Sequence, residues 1–158
     1  MKKLFVMAFA AMFCMAGFAK GTQEVINEIV QSTGAQVITL GKDIIAAQTA
    51  GMPDNVKAVM NNIDGGTLVL LSEGTDDNIK TFNDKVGELD TKDYETMASF
   101  VDGSDIIKVF GKYDGDCITE LVIVFSDDED CAMIDVTGKI SKEDALKLLS
   151  KDMLQQIL

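Results

Sequence analysis

The chain has 158 residues and a formal net charge of −12 at pH 7, from 26 acidic and 14 basic residues. It contains no histidine and all its basic residues are lysine, which excludes Ser-His-Asp and Cys-His catalysis and the usual histidine-ligated zinc and copper sites. An acidic chain without arginine is also a poor candidate for nucleic-acid binding.

Residues 1–19 have the composition of a secretory signal peptide. Two lysines precede an uninterrupted apolar run, and small residues stand at the two positions that signal peptidase reads. We expect cleavage before Lys20, which leaves residues 20–158 as a single exported α+β domain in the periplasm or at the envelope. Two alternatives stay open. Lipidation of Cys14 is disfavoured because Phe13 occupies the place of the usual small residue, and a retained membrane anchor is disfavoured because the run is shorter than the about 20 residues of a spanning helix.

The first half of the mature chain alternates between helical and extended patterns. Apolar residues with helical spacing predict a helix that ends at Gly34. The run Val37–Leu40 predicts a strand, a helix interrupted at Gly51–Pro53 follows, and Thr67–Leu71 predicts a second strand. We expect these two strands to be parallel neighbours joined by a right-handed crossover.

Two more helices are predicted before the character of the chain changes. The first has an apolar stripe at helical spacing, and the second begins after the capping residue Thr91. Their apolar positions are Ile79, Phe82, Val86 and Leu89 in the first, and Tyr94, Met97, Ala98 and Val101 in the second.

The last third is rich in strand-forming residues. Asp105–Tyr113, Cys117–Phe125 and Cys131–Thr137 are joined by short turns, which predicts an antiparallel meander, and a final helix follows Ser141 with Ala145, Leu148 and Leu149 turned inward. The predicted fold is therefore α+β, with a mixed five-stranded sheet that ends in a three-stranded antiparallel meander. Helices are expected mainly on one face of the sheet.

The two cysteines of the mature chain are expected to be free thiols. A hairpin centred on Asp128 places Cys131 opposite Phe125 and Cys117 opposite Lys139. The two sulfur atoms would then lie about 26 Å apart along the ladder, which is too far for a disulfide.

The acidic turn between the last two strands allows three interpretations. Asp127, Asp128, Glu129 and Asp130 could bind calcium, form a charged contact patch, or serve only as a solvated turn. Four consecutive acids are a poor cage because neighbouring side chains of an extended segment point to opposite sides. We therefore favour the solvated turn and keep these residues as weak calcium candidates.

The meander carries more apolar residues than one core face needs. In the register centred on Asp128, a second apolar face holds Leu121, Ile123, Phe125 and Met133, with Phe110 alongside on the preceding strand. This face needs a cover, which is either the chain's own helices or another molecule. These five residues are the candidate partner-binding residues.

The segment from Tyr94 to Lys151 resembles the family known as domain of unknown function 4252, a group of small secreted proteins of Bacteroidetes-type bacteria. The matching features are Tyr94, a turn glycine at Gly111 or Gly115, the strand Ile118–Ile123 (ITELVI), the SDDED turn, and Ile134–Ile140 (IDVTGKI) before a closing helix. The resemblance implies a secreted domain with this strand order. It implies no activity, cofactor or catalytic residue.

These observations favour an exported, non-enzymatic domain that binds an unknown protein partner or itself through the meander, with no cofactor and no membrane span after cleavage. No spacing selects a pair of carboxylates for catalysis, and no histidine is present to activate a cysteine. The alternative is a small-ligand or cation-binding protein that uses the acidic hairpin end.

Overall fold

The structure, a computed structural model, describes residues 20–148. The predicted signal peptide with Cys14, and Leu149 of the predicted last helix, lie outside the described residues. The elements in chain order are α1 (Thr22–Thr33), β1 (Gln36–Gly41), α2 (Lys42–Thr49), α3 (Asp54–Met60), β2 (Ile63–Leu71), α4 (Asp76–Val86), β3 (Tyr94–Asp102), β4 (Asp105–Asp114), β5 (Cys117–Ser126), β6 (Cys131–Ser141) and α5 (Lys142–Leu148). The α+β class is thus confirmed. Within residues 20–148, no helix is long and apolar enough to cross a membrane.

The sheet has six strands in the order β1-β2-β6-β5-β4-β3, and every neighbouring pair is antiparallel. The predicted five-stranded mixed sheet is therefore wrong in strand number and direction, although the meander of its last three strands is present as β4, β5 and β6. The two C-terminal strands occupy the centre, and β1 and β3 form the edges.

The first two strands are antiparallel, which corrects the predicted parallel crossover. Gly41 at the end of β1 pairs with Gly65 near the start of β2, so the chain re-enters the sheet at the end from which it left. The reason is the break at Gly51–Pro53. It separates α2 from α3, and these two short helices return the chain to the end of the sheet where β1 stops. One continuous helix would instead have carried the chain to the opposite end of the sheet.

The segment that begins at Tyr94 is a strand and not a helix. A β-bulge between Thr96 and Ala98 adds one residue to β3, so Met97 and Ala98 both pack against the same core. This irregularity produces apolar positions three and four residues after Tyr94, which imitate helical spacing. Gly111 on β4 accommodates Met97, whose sulfur would lie 2.9 Å from an added Cβ.

The β5–β6 hairpin is shifted by one residue from the predicted register. Its four-residue loop, residues 127–130, is closed by the Asp127 amide, which donates to the Asp130 carbonyl over 2.9 Å. Ser126 therefore pairs with Cys131, and Ile123 pairs with Ile134. Because a shift of one residue reverses which face each side chain meets, Met133 does not share a face with Ile123.

Helices cover both faces of the sheet, which corrects the expectation of one covered face. On the α1/α4 face, Val25, Ile26, Ile29 and Phe82 pack with Val69, Val122, Val124 and Met133. On the α2/α3/α5 face, Ile45, Val59 and Ala145 pack with Val109, Leu121, Val136 and Ile140. The sheet is therefore the middle layer between two cores.

Lys20, the first described residue, is hydrogen-bonded to the segment that follows α4. The Lys20 amide donates to the Glu88 carbonyl over 3.0 Å, and the Asp90 amide donates to the Lys20 carbonyl over 2.9 Å. The Lys20 ammonium also pairs with Glu28 over 2.6 Å and with Glu88, and Lys85 pairs with the same two carboxylates. The segment before α1 is thus fixed by backbone and side-chain contacts together.

Candidate functional site

Five paired side chains form an apolar row across the sheet beside its hairpin end. Leu70 pairs with Ala132, Ala132 with Phe125, Phe125 with Ile107, and Ile107 with Phe100. Directly paired residues point to the same face, here the α2/α3/α5 face. None of the five is buried, and Phe100 is 53% exposed. We call these five residues the open row.

Burial on this face increases away from the open row. The adjacent row includes Ile123 and Ile134, which are half-buried, and Val109, which is 1% exposed. One residue pair further, Leu121 is also 1% exposed. The core under the helices therefore thins towards the hairpin end, where the apolar surface reaches solvent.

The predicted partner-binding residues fall into three environments. Ile123 and Phe125 lie on the α2/α3/α5 face, half-buried, in and beside the open row. Phe110 is half-buried on the α1/α4 face. Leu121 and Met133 are enclosed in the cores of opposite faces. The structure thus brings only Ile123 and Phe125 together at an accessible surface.

Sequence reasoning missed the outer residues of the open row. Phe100 lies in the segment after Thr91 that the sequence predicts to be a helix, and Leu70 lies in the predicted strand Thr67–Leu71 without being singled out. The available signal was the alternation of apolar and polar residues after Met97, with Ala98 and Phe100 on one face and Ser99 on the other. That alternation is typical of a half-buried strand.

The open row lies beside an end of the sheet that is rich in acids. Three segments form this acidic end, residues 72–77, 102–105 and 127–130, and they contain no lysine. Their acids are Glu73, Asp76, Asp77, Asp102, Asp105, Asp127, Asp128, Glu129 and Asp130. The apolar surface therefore has a strongly negative border.

The acidic hairpin is organised by its own hydrogen bonds. Asp127 Oδ1 accepts from the amides of Glu129 and Asp130 over 2.8 and 2.7 Å. Asp130 Oδ1 accepts from the Glu73 amide over 3.1 Å, and the Gly74 amide donates to the Glu129 carbonyl over 2.7 Å. Two of the four acids therefore shape the turn and attach it to the β2–α4 loop. In residues 20–148, no three acidic or cysteine side chains converge as a metal-binding group.

A pair of carboxyl groups lies between β5, β6 and α1. Glu120 and Asp135 share a hydrogen bond, and Thr22 Oγ1 donates to Glu120 Oε1 over 3.0 Å. Thr22 Oγ1 also lies 3.1 Å from the Tyr94 hydroxyl. Burial, together with the negative charge of Glu120, raises the pKa of Asp135 to about 7. Near pH 7 the Asp135 carboxyl group is therefore protonated in about half of the molecules.

Sequence reasoning did not identify this pair. Both acids stand in otherwise apolar strands, as in ITELVIVF and CAMIDVTG, and that interruption was the available signal. Burial also raises the pKa of Tyr94 to about 12, which keeps its hydroxyl protonated and able to donate. The two carboxyl groups therefore lie beside two uncharged hydroxyl groups, those of Thr22 and Tyr94.

The two cysteines lie at opposite ends of the β5–β6 ladder. Cys131 is buried with its Sγ 3.3 Å from Ser126 Oγ, and burial raises the pKa of its thiol. Cys117 is half-buried and pairs with Ser141 at the far end. Cys131 is therefore a protonated, enclosed thiol with little nucleophilic character.

Comparisons with known proteins place the chain in one family. Neither the curated proteins nor the solved structures gave a match. The family model described as domain of unknown function (DUF4252) matches residues 18–148, which includes the whole sheet and all five described helices. The chain therefore belongs to the DUF4252 family.

Proposed function

We propose that this chain is an exported, non-enzymatic domain that binds a protein partner through the open row. The observation that carries the proposal is the row itself, in which five paired apolar side chains retain exposure next to a well-buried core. Contiguous exposed apolar surface with a polar border is typical of interaction sites. Export is supported by the signal-like composition of residues 1–19, and places the partner in the periplasm or at the envelope.

The charge around the row favours a basic partner. The acidic end supplies a negative border without lysine. A segment with apolar side chains and flanking lysine or arginine residues complements both the row and the border. A second copy, docked through the same end, would instead bring two acidic borders together, so the proposal is a basic-apolar partner and not self-association.

The proposal is tested with synthetic peptides. One peptide has alternating Leu and Ser flanked by lysines, and a second has the same centre flanked by glutamates. We expect saturable binding of the lysine-flanked peptide in fluorescence anisotropy, with affinity that falls as salt is added. Phe100→Glu should weaken this binding by about tenfold or more, because it replaces the most exposed apolar side chain of the row with a charge.

Val101→Glu is the matched control. Val101 follows Phe100 in the same edge strand and is 63% exposed, but it pairs with Ile106 and points to the opposite face. It should leave binding unchanged. Equal binding of both peptides, or equal loss with both variants, would contradict the proposal. A dimer in light scattering that Phe100→Glu dissociates would replace the basic partner with a second copy.

A further inference from the structure

A cleft opens on the α1/α4 face, on the other side of the sheet from the open row. Its volume is about 260 Å³, small for a ligand-binding pocket. Val86 and Leu89 form the helix side, and Ile106, Phe110 and Val124 form the sheet side. These apolar walls would shield the hydrocarbon part of a ligand from water, which favours binding.

One ammonium group lines this apolar cleft. Lys108 is half-buried on β4, and its paired neighbours across the strands, Ser99 and Val124, are uncharged. Among residues 20–148, no carboxylate forms an ion pair with Lys108. Lys20, Lys80 and Lys85 each have such a partner. Among the described residues, half-buried Lys112 also forms no ion pair, but its ammonium lies over the Tyr94 ring, 5.9 Å from the ring centroid.

Two neutral polar groups lie in the same cleft. Asn83 and Thr91 line it together with Lys108. The Asn83 amide nitrogen donates to Ser126 Oγ over 3.0 Å, which leaves its second N–H available. Thr91 also lines the cleft, and its side chain has a hydroxyl group that can act as a donor. One cation and two neutral donors suit a single carboxylate, whereas a phosphate usually needs several cations or an arginine fork.

We propose that this cleft binds a small carboxylic acid with an aliphatic or aryl body. The carboxylate pairs with the Lys108 ammonium, and the hydrocarbon lies against Ile106, Phe110 and Val124. The site is independent of the proposed partner-binding row because the two lie on opposite faces of the sheet. Binding is non-covalent.

The test is calorimetric titration of the full domain with sodium octanoate, with octan-1-ol as the neutral analogue. We expect saturable binding of octanoate and at least about tenfold weaker binding of octan-1-ol. Lys108→Met should reduce octanoate affinity by about tenfold or more, because it removes the charged partner and retains the side-chain length. Lys139→Met is the control, since Lys139 is exposed at the far end of β6.

Amide chemical shifts of the wild-type protein provide a readout that needs no variant. Octanoate should shift the amide signals of Ile106, Phe110 and Val124 more than those of the open row. The proposal is overturned if octanoate shows no saturable binding, if Lys108→Met binds as the wild type does, or if the shifts lie elsewhere. A folded Lys108→Arg variant should retain most of the affinity.

Discussion

Asp135 carries the most unusual side-chain environment in the described chain. Its Oδ1 atom is buried without a hydrogen-bond partner among the described residues, and its neighbour across the hydrogen bond is another carboxyl group. An arrangement of this kind is favourable only while one of the two groups keeps a proton. The burial of Asp135 therefore makes the stability of the fold sensitive to pH.

We predict that stability declines as pH rises towards 8. The pKa of Asp135 is raised from 3.8 to about 7, so the folded chain holds a proton that the unfolded chain releases between these values. The stabilisation is complete below pH 4 and is lost as pH passes 7. Glu28 and Glu88 have the opposite effect on stability, which decreases as pH falls and their carboxyl groups are protonated. The reason is that hydrogen bonds from Lys20 lower the pKa of each carboxyl group.

Asp135→Asn isolates this contribution. At pH 8 the variant should be more stable than the wild type by about 1–2 kcal/mol, a value reduced to allow for solvent screening, because the amide cannot ionise and can still donate to Glu120. At pH 5 the difference should be smaller, because this pH lies between the pKa of Asp135 in the unfolded and in the folded chain. Thermal denaturation from pH 5 to 8.5 measures both values, with exposed Asp128→Asn as the control. A constant difference across this range would refute the assignment.

At the scale of elements, the pairing of β2 with β6 depends on one close approach. A Cβ at Gly138 would lie 2.1 Å from the Asn62 carbonyl oxygen and 2.9 Å from the Ile63 Cα. Both are backbone atoms at the start of β2, beside a register shift between Ile63 and Gly65. These atoms cannot move aside as the end of a flexible side chain can.

Gly138→Ala should therefore lower the free energy of unfolding by about 3 kcal/mol, through displacement of the β2–β6 ladder. Urea denaturation gives the measurement. Gly51→Ala is the matched control, because nothing lies within 4 Å of a Cβ at Gly51 in the α2–α3 turn. Equal midpoints for the two variants would show that the ladder tolerates the methyl group.

The elements differ in how well the sequence predicts them. The stripe of Ile79, Phe82 and Val86 correctly predicts α4, because regular helical spacing has one simple interpretation. The same rule gives a wrong prediction for β3. The residue added by the bulge changes the spacing of apolar residues from two to three and four, which is the spacing of a helix. The predicted register of the β5–β6 hairpin is wrong for a related reason. The length of the loop decides which face of the sheet each residue meets, and four consecutive acids do not specify that length.

For the candidate site, local pattern identified Ile123 and Phe125 as excess apolar residues. It could not identify Phe100 or Ile107 as their neighbours, because that row exists only after strands distant in sequence are paired. The carboxyl pair of Glu120 and Asp135 could not be predicted for the same reason. Glu120 and Asp135 are separated by a hairpin, and the effect of Glu120 on the pKa of Asp135 follows from the register.

At the scale of the whole molecule, charge is unevenly distributed. The chain has a net charge of −12, and the acidic end has no lysine to offset its acids. The ion pairs Lys42–Asp64, Lys80–Asp84 and Lys142–Glu95 are exposed to solvent, so salt weakens contacts that contribute little. The screening of repulsion between the acidic groups should therefore outweigh the weakening of the ion pairs, so that salt stabilises the fold.

We therefore predict that the melting temperature rises by several degrees as sodium chloride increases from about 10 mM to about 500 mM. Differential scanning calorimetry at pH 7 provides the measurement. Replacement of the exposed pair Asp128 and Glu129 by serine should reduce the salt effect while raising the melting temperature in low salt. A melting temperature that falls with salt would show that the ion pairs outweigh the repulsion.

The central position of β6 has a consequence for how the domain is made. Because β6 joins β2 to β5, the described strands before Cys131 form two separate ladders, β1–β2 and β3–β4–β5. A chain delivered from its amino end, by the ribosome or by an export channel, cannot close its sheet until the last strand emerges. Until then β2 and β5 present free edges that other strands can join. Insertion of one late strand between two half-sheets is therefore the expected slow step of maturation, and the period in which the chain is most exposed to misassembly.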